Sequence, residues 1–272
     1  MIGRRSRRAQ GNMEFKLIIY EKSDGIATIT LNRPEALNAF SKEVVSEVLE
    51  ALEDARKDDN VRVIVLTGAG EKAFSAGADI KAMMGMNALK ARDLSLMGEG
   101  LCRALESLEK PVIAALNGFA LGGGLEVAMA CDLRIASENA RVGQTEINIG
   151  LIPGWGGTQR LTRLVGRTKA KELVFTGRMI DAKTAEQLGI LNMVVPADKF
   201  RETVRQFALD LAAKAPVALR VAKVLIDKGA EIGLDSALAL EREGFGVVAS
   251  TEDLQEGVRA FTEKRKPLFK GK

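Results

Sequence analysis

Two rhythms alternate along the first 160 residues: short apolar runs of strand character, and longer stretches whose apolar positions recur at helical spacing. Phe15 to Tyr20 and Ile26 to Leu31 predict two strands, with Asp24-Gly25 near the turn between them. Asn32-Arg33-Pro34 stops the second. Ser41 is placed to cap a helix reaching about Lys57, because Val44, Val45, Val48, Leu49 and Leu52 fall on one face. The run VRVIVLT, Val61 to Thr67, is almost continuous in β-branched residues, as a buried parallel strand requires. A helix follows over about Leu89 to Leu108, then the strand VIAAL after Pro111. A glycine run next enters a helix that holds Glu126, and Leu133 to Ala136 is a further short strand. Each helix returns the chain to add another buried strand.

From Gly156 onward the pattern is mostly helical, over about 157–165, 168–175, 182–188, 198–214, 216–228, 233–249 and 251–265. The fold class is therefore α/β: a core over residues 13–205 followed by a helical region over 206–272. No internal sequence repeat or low-complexity linker is present. Amphipathic C-terminal helices with no obvious partner in their own core predict packing across subunits.

Composition narrows the chemistry. A chain of 272 residues with 46% hydrophobic and 28% charged residues suits one large domain, with or without a small appendage. Cys102 and Cys131 form no CxxC pair, which argues against a zinc site or a disulfide framework and for a reducing, cytoplasmic setting. The chain has no histidine. That removes Ser-His-Asp and Cys-His arrangements and leaves proton transfer to carboxylates tuned by burial, with Lys, Cys and Tyr20 as the other candidates. The net charge of +4 resides in Arg4, Arg5, Arg7 and Arg8 of a twelve-residue opening segment without acids. The rest of the chain is neutral, so the high isoelectric point is no argument for nucleic-acid binding. Residues 1–12 lack an apolar signal core and are predicted to be a disordered basic tail, with Met13 as a second candidate start. The apolar window 112–131 contains Asn117, four glycines and Glu126, which makes it costly in lipid and suits a buried strand, turn and helix.

Four segments can carry chemistry. Gly68-Ala69-Gly70-Glu71-Lys72-Ala73 matches a loose dinucleotide fingerprint, but loop continues where the fingerprint needs a helix, so a flexible glycine loop is the better reading. Ala73-Phe74-Ser75-Ala76-Gly77-Ala78-Asp79-Ile80 would let a ligand approach the backbone, or would simply make a tight turn. Asn117 to Glu126, NGFALGGGLE, enters a helix through glycines and so exposes backbone N–H groups at a positive helix end, with an acid one turn inside. Such N–H groups can hold an oxyanion, or the glycines can serve close packing. Glu146 lies twenty residues further on and precedes a second glycine loop, GLIPGWGGTQR, able to hold a water or shape a pocket.

Taken together, LNRPEALNAF, AFSAGADIKAM, NGFALGGGLEVAMACDLRIA, GQTEINIGLIPGWGGTQRL and FTEKRKPLFKGK resemble the crotonase family, in particular its enoyl-CoA hydratases. The motifs run in family order from about residue 14 to the C-terminus. The resemblance implies a spiral of repeated ββα units with a helical C-terminal trimerisation part, assembled as a trimer or a dimer of trimers. It implies an acyl-CoA thioester as substrate, no metal or separate cofactor, and no nucleic acid or membrane partner. It assigns the oxyanion hole to the N–H groups of Ala78 and Gly123, catalysis to Glu126 and Glu146, and water positioning to Gly154. Ala76, Gly77, Asp79, Ile80, Met83, Phe245, Phe261 and Lys264 would contact CoA or substrate, the last two from a neighbouring subunit. The fold also hosts isomerases, dehalogenases, hydrolases and decarboxylases. Two glutamates favour hydration or its reverse, with a cyclic dienoyl-CoA hydratase as an alternative. An RNA-binding or non-catalytic member is the remote reading.

Overall fold

The computed structural model describes residues 14–272, so the basic tail expected over 1–12 lies outside the described residues. The fold opens on a hairpin of β1 (Ile18–Ser23) and β2 (Ile26–Leu31), with Ser23 paired to Ile26 around Asp24-Gly25, both at positive φ. β1 starts later than its apolar run predicts, because pairing to β2 rather than composition sets its register. Phe15 instead packs edge-on against Tyr20, with ring centroids 6.0 Å apart. Helix α1 (Lys42–Lys57) begins where expected: Ser41 Oγ accepts from the Val44 N–H at 3.3 Å, and Val44, Val45, Val48 and Leu52 are buried.

Three strand–strand–helix units follow. The first is β3 (Val63–Gly68), β4 (Ala73–Ser75) and α2 (Ala88–Ser107). The second is β5 (Val112–Leu116), β6 (Phe119–Leu121) and α3 (Gly123–Ala130). The third is β7 (Leu133–Ser137), β8 (Arg141–Gly143) and α4 (Gly157–Thr176). The first strand of each unit joins a six-stranded sheet of order β1-β2-β3-β5-β7-β10, and the second joins a four-stranded sheet of order β4-β6-β8-β9. This alternation is the expected spiral, repeated in topology although not in sequence. Strands β4, β6 and β8 are adjacent and parallel, so their C-terminal ends lie side by side on one edge. Open α/β sheets bind ligands beyond such an edge.

The region after Gly156 is less purely helical than its pattern predicts. β9 (Ile180–Asp181) and β10 (Met193–Val195) flank α5 (Ala182–Gln187) and add to β8 and β7. Strands of two or three residues are too short to show a period, and tertiary pairing creates them. The break expected between residues 165 and 168 is a kink inside α4 at Gly166, with φ 76° and ψ 161°.

Both faces of the large sheet are covered. Ile29, Leu31, Ile64 and Leu66 face the main core with α1, α2 and the small sheet. Ile26, Val63, Val65 and Ile113 face α6 (Phe200–Ala212) through Phe200, Val204 and Ala208. The boundary expected at residue 205 thus falls inside a helix of the core. The helices that leave it are α7 (Pro216–Gly229), α8 (Leu234–Ala249) and α9 (Glu252–Thr262). α7 is tied back by Lys223 Nζ, 2.9 Å from Asp132 Oδ2. α7 and α8 have no buried residue, while Leu234, Phe245 and Phe261 are 72%, 78% and 87% exposed. Among the described residues, no helix is long and apolar enough to cross a membrane.

Candidate active site

Each unit of the spiral delivers one piece to the shared edge. β4 leads into the segment Ala76–Asp79, which is clamped against the loop before α1. The Ala76 N–H donates to Leu37 O at 2.9 Å, Phe40 N–H to Gly77 O at 2.8 Å, and Asp79 N–H to Phe40 O at 2.9 Å. The Gly77 N–H donates to Ser75 Oγ at 3.1 Å. Every N–H around Ala78 is engaged, while that of Ala78 has no acceptor among the described residues. It lines a pocket of about 160 Å³ together with Gly122, Gly123, Glu126 and Glu146.

β6 is followed by Gly122, whose φ of 51° and ψ of −125° belong to a region that side chains exclude. That corner turns the chain into α3 at once, so the Gly123 N–H heads the helix with no partner in its own turn. A Cβ on Gly123 would lie 3.3 Å from the Ala78 nitrogen and 2.8 Å from the Trp155 ring. Only glycine lets the two donor segments approach this closely. Two N–H groups without an acceptor among the described residues thus lie close together in the pocket wall, that of Gly123 at the positive end of a helix.

Glu126 sits one turn into α3 and is 1% exposed. Its Oε1 accepts from the N–H of Trp155 at 2.7 Å and of Gly157 at 2.6 Å. Burial raises its pKa above the ordinary carboxylate value, while the Gly157 and Trp155 N–H groups and the Arg160 charge oppose the rise. The one acid of the apolar window 112–131 is therefore paired: main-chain donors hold its charged form. The second glycine loop serves this purpose, a role its composition does not reveal.

β8 ends at Gly143, and Glu146 follows as the first residue of a 3-10 turn, Glu146–Ile149. Its carboxylate reaches back to Gly122, where a Cβ would stand 2.9 Å from Oε1. Burial pushes its pKa up to about 7, and the Glu126 charge adds to the rise. Buried Gln144, with its amide nitrogen turned toward Glu146, donates to both carboxylate oxygens at 3.1 and 3.2 Å. The two glutamates thus face one pocket in unlike surroundings. Burial raises the pKa of both; main-chain donors and the Arg160 charge oppose the rise at Glu126, while at Glu146 the Glu126 charge adds to it.

Ala76, Gly77, Ile80, Met83 and Gly154 also line this pocket. Gly154 is fixed by Ser95 Oγ, which donates to its carbonyl at 2.5 Å. The Asp79 side chain turns elsewhere: Oδ2 lies 3.4 Å from Arg33 Nη2 and Oδ1 accepts from the Lys81 N–H. Phe245, Phe261 and Lys264 are not brought to the pocket of their own chain, on whose surface they stand exposed. Sequence reasoning missed Trp155, Ser95 and Gln144. Their one legible trace is Gly98 inside α2, which makes room for the Trp155 ring.

Comparison with known proteins identifies the family. The family profile described as Enoyl-CoA hydratase/isomerase matches residues 21–272. The chain is 48% identical over 254 residues to the short-chain-enoyl-CoA hydratase of Clostridium acetobutylicum, covering 93% of this chain and 97% of that protein. It is 42% identical over 257 residues to the crotonyl-CoA hydratase of Syntrophomonas wolfei, covering 94% and 99%. The crystal structure of an enoyl-CoA hydratase from Bacillus anthracis superposes with a TM-score of 0.92 at 42% identity, covering 94% of this chain and all of that one.

Proposed function

The chain belongs to the enoyl-CoA hydratase/isomerase family, and on that premise we propose that it is an enoyl-CoA hydratase, adding water reversibly to a trans-2-enoyl-CoA to give a 3-hydroxyacyl-CoA. The observation that carries the reading is the pairing of two free N–H groups with two differently tuned carboxyls around one pocket. The thioester carbonyl accepts hydrogen bonds from Ala78 and Gly123, which polarises the double bond and makes C3 electrophilic. Glu126, ionised, takes a proton from the water that attacks C3. Glu146, protonated, delivers a proton to C2 of the resulting enolate. Both carboxyls serve the same water, so water adds from one side and the two glutamates share a proton. Gly154, beside Glu126, offers an N–H to that water. Nothing in this sequence needs a group beyond the CoA of the substrate, and the dehydration runs through the same site.

The exposed apolar side chains of α8 and α9 support assembly into a trimer or a dimer of trimers. There Phe261 and Lys264 of one chain would reach the CoA bound by a neighbour, with Phe245 beside them.

Glu146→Gln tests the acid. Hydration of crotonyl-CoA, followed by loss of enoyl absorbance, is expected to fall by about 10²–10⁴. In the wild type kcat/KM should decline as pH rises through about 7, where Glu146 loses its proton. The decline should vanish in the variant. Stability should fall in the same direction of pH. Because the folded state holds the Glu146 proton up to about 7, the wild type loses stability as pH rises from the ordinary carboxylate range to that value. The glutamine variant does not, so its Tm should exceed that of the wild type above pH 7 and match it in acid. Hydration at the full rate in Glu146→Gln would sink the two-carboxylate mechanism.

A further inference from the structure

We infer that the Trp155 side chain sets the length of acyl chain the enzyme accepts, by closing the pocket where it would otherwise continue along α2; this rests on the enoyl-CoA reading above. Ala91, Leu94 and Ser95 line the pocket from α2. Gly98 is the next residue on that helix face, by the spacing of three, four and seven. The groove stops there because the indole fills it: a Cβ on Gly98 would overlap the ring. Glycine inside a helix is unfavourable, and no other contact in α2 accounts for this one. Trp155 Nε1–H donates to the Leu94 carbonyl at 3.1 Å. The ring meets Phe40 edge-on, with centroids 5.8 Å apart and planes at 67°. At 3% exposure the ring is buried among these groups.

The main chain of Trp155 is pinned independently of the ring. Its N–H donates to Glu126 at 2.7 Å, its carbonyl accepts from Arg160 Nη1 at 2.7 Å, and the preceding carbonyl accepts from Ser95 Oγ at 2.5 Å. Replacing the side chain therefore opens space beside α2 without withdrawing a donor from Glu126. An acyl tail longer than the pocket needs the volume the ring occupies.

The experiment compares kcat/KM on trans-2-enoyl-CoA esters of four, eight and twelve acyl carbons for wild type, Trp155→Ala and Trp155→Phe. The informative quantity is the ratio of long to short chain within one protein. All esters share the same carboxyls and N–H groups, so general damage to the machinery cancels. The eight-to-four ratio is expected to rise about tenfold or more in Trp155→Ala, on the scale of a few methylenes in a hydrophobic pocket. It should stay near the wild-type value in Trp155→Phe, which keeps most of the wall. Added indole should refill the alanine variant and restore the wild-type ratio. A ratio unchanged in a Trp155→Ala protein with native near-UV dichroism overturns the inference. If alanine prevents folding, Trp155→Leu takes its place, with a smaller rise expected and an unchanged ratio equally fatal. A wild type silent on all three esters would sink the hydratase reading and this inference together.

Discussion

Replacing Glu126 by glutamine is expected to lower kcat for hydration about a thousandfold, with KM within a few-fold of the wild type. The glutamine oxygen can still accept from the Trp155 and Gly157 N–H groups that hold Oε1 at 2.7 and 2.6 Å. The side chain should therefore keep its place, and near-UV dichroism should be unchanged. What is lost is the capacity to take a proton from water. An interaction made only in the transition state lowers kcat without weakening substrate binding, which is the pattern expected here. A second consequence separates this from misfolding. Removing the Glu126 charge removes one contributor to the raised pKa of Glu146, which should then titrate lower than about 7. A tenfold loss or less would mean that some other group activates the water.

Gly123→Ala is expected to cost about 10²–10³ in kcat, the scale of a lost oxyanion donor. The added methyl would stand 2.8 Å from the Trp155 ring and 3.3 Å from the Ala78 nitrogen. The ring has no room to retreat, because Gly98 and Phe40 already confine it. The strain falls instead on the spacing between the two donors, and a thioester oxygen can then reach only one of them. The pH dependence set by the glutamates should survive, since neither carboxyl moves off its partners. Gly100→Ala, two residues beyond Gly98 on the exposed side of α2, is the control. Nothing lies within 4 Å of a Cβ there, so activity should be retained and stability should rise by up to about 1 kcal/mol. Equal losses at the two glycines would refute the role given to close approach at Gly123.

The parts of this molecule that sequence reveals are those where a residue type is forced. Ser41 announces α1 because only a hydroxyl, amide or acid caps a helix well. The run Gly122-Gly123 announces the hole because nothing else tolerates that corner and that approach. Glu126 is conspicuous as the one acid in an apolar window. What stays hidden is carried by the main chain or created by pairing. The N–H groups of Trp155 and Gly157 that hold Glu126 belong to no particular side chain, so the loop reads equally well as a water site. β4, β6 and β8 each have three residues, too few to show a period, yet they are the strands whose ends assemble the site. Asp79 reads as part of the small-residue ligand segment, and only the folded chain brings Arg33 to its carboxylate. For Phe245, Phe261 and Lys264 the helical pattern identifies exposed positions but not what covers them.

The central claim is that Glu126 and Glu146 act as one unit on one water. It is tested most directly by a cycle of Glu126→Gln, Glu146→Gln and the double variant, measuring kcat for crotonyl-CoA hydration. Two groups working in one step are expected to be non-additive, so the double variant should lose little more than the more damaged single variant. Losses that multiply, or a Glu146→Gln enzyme that hydrates at the wild-type rate, would contradict the account.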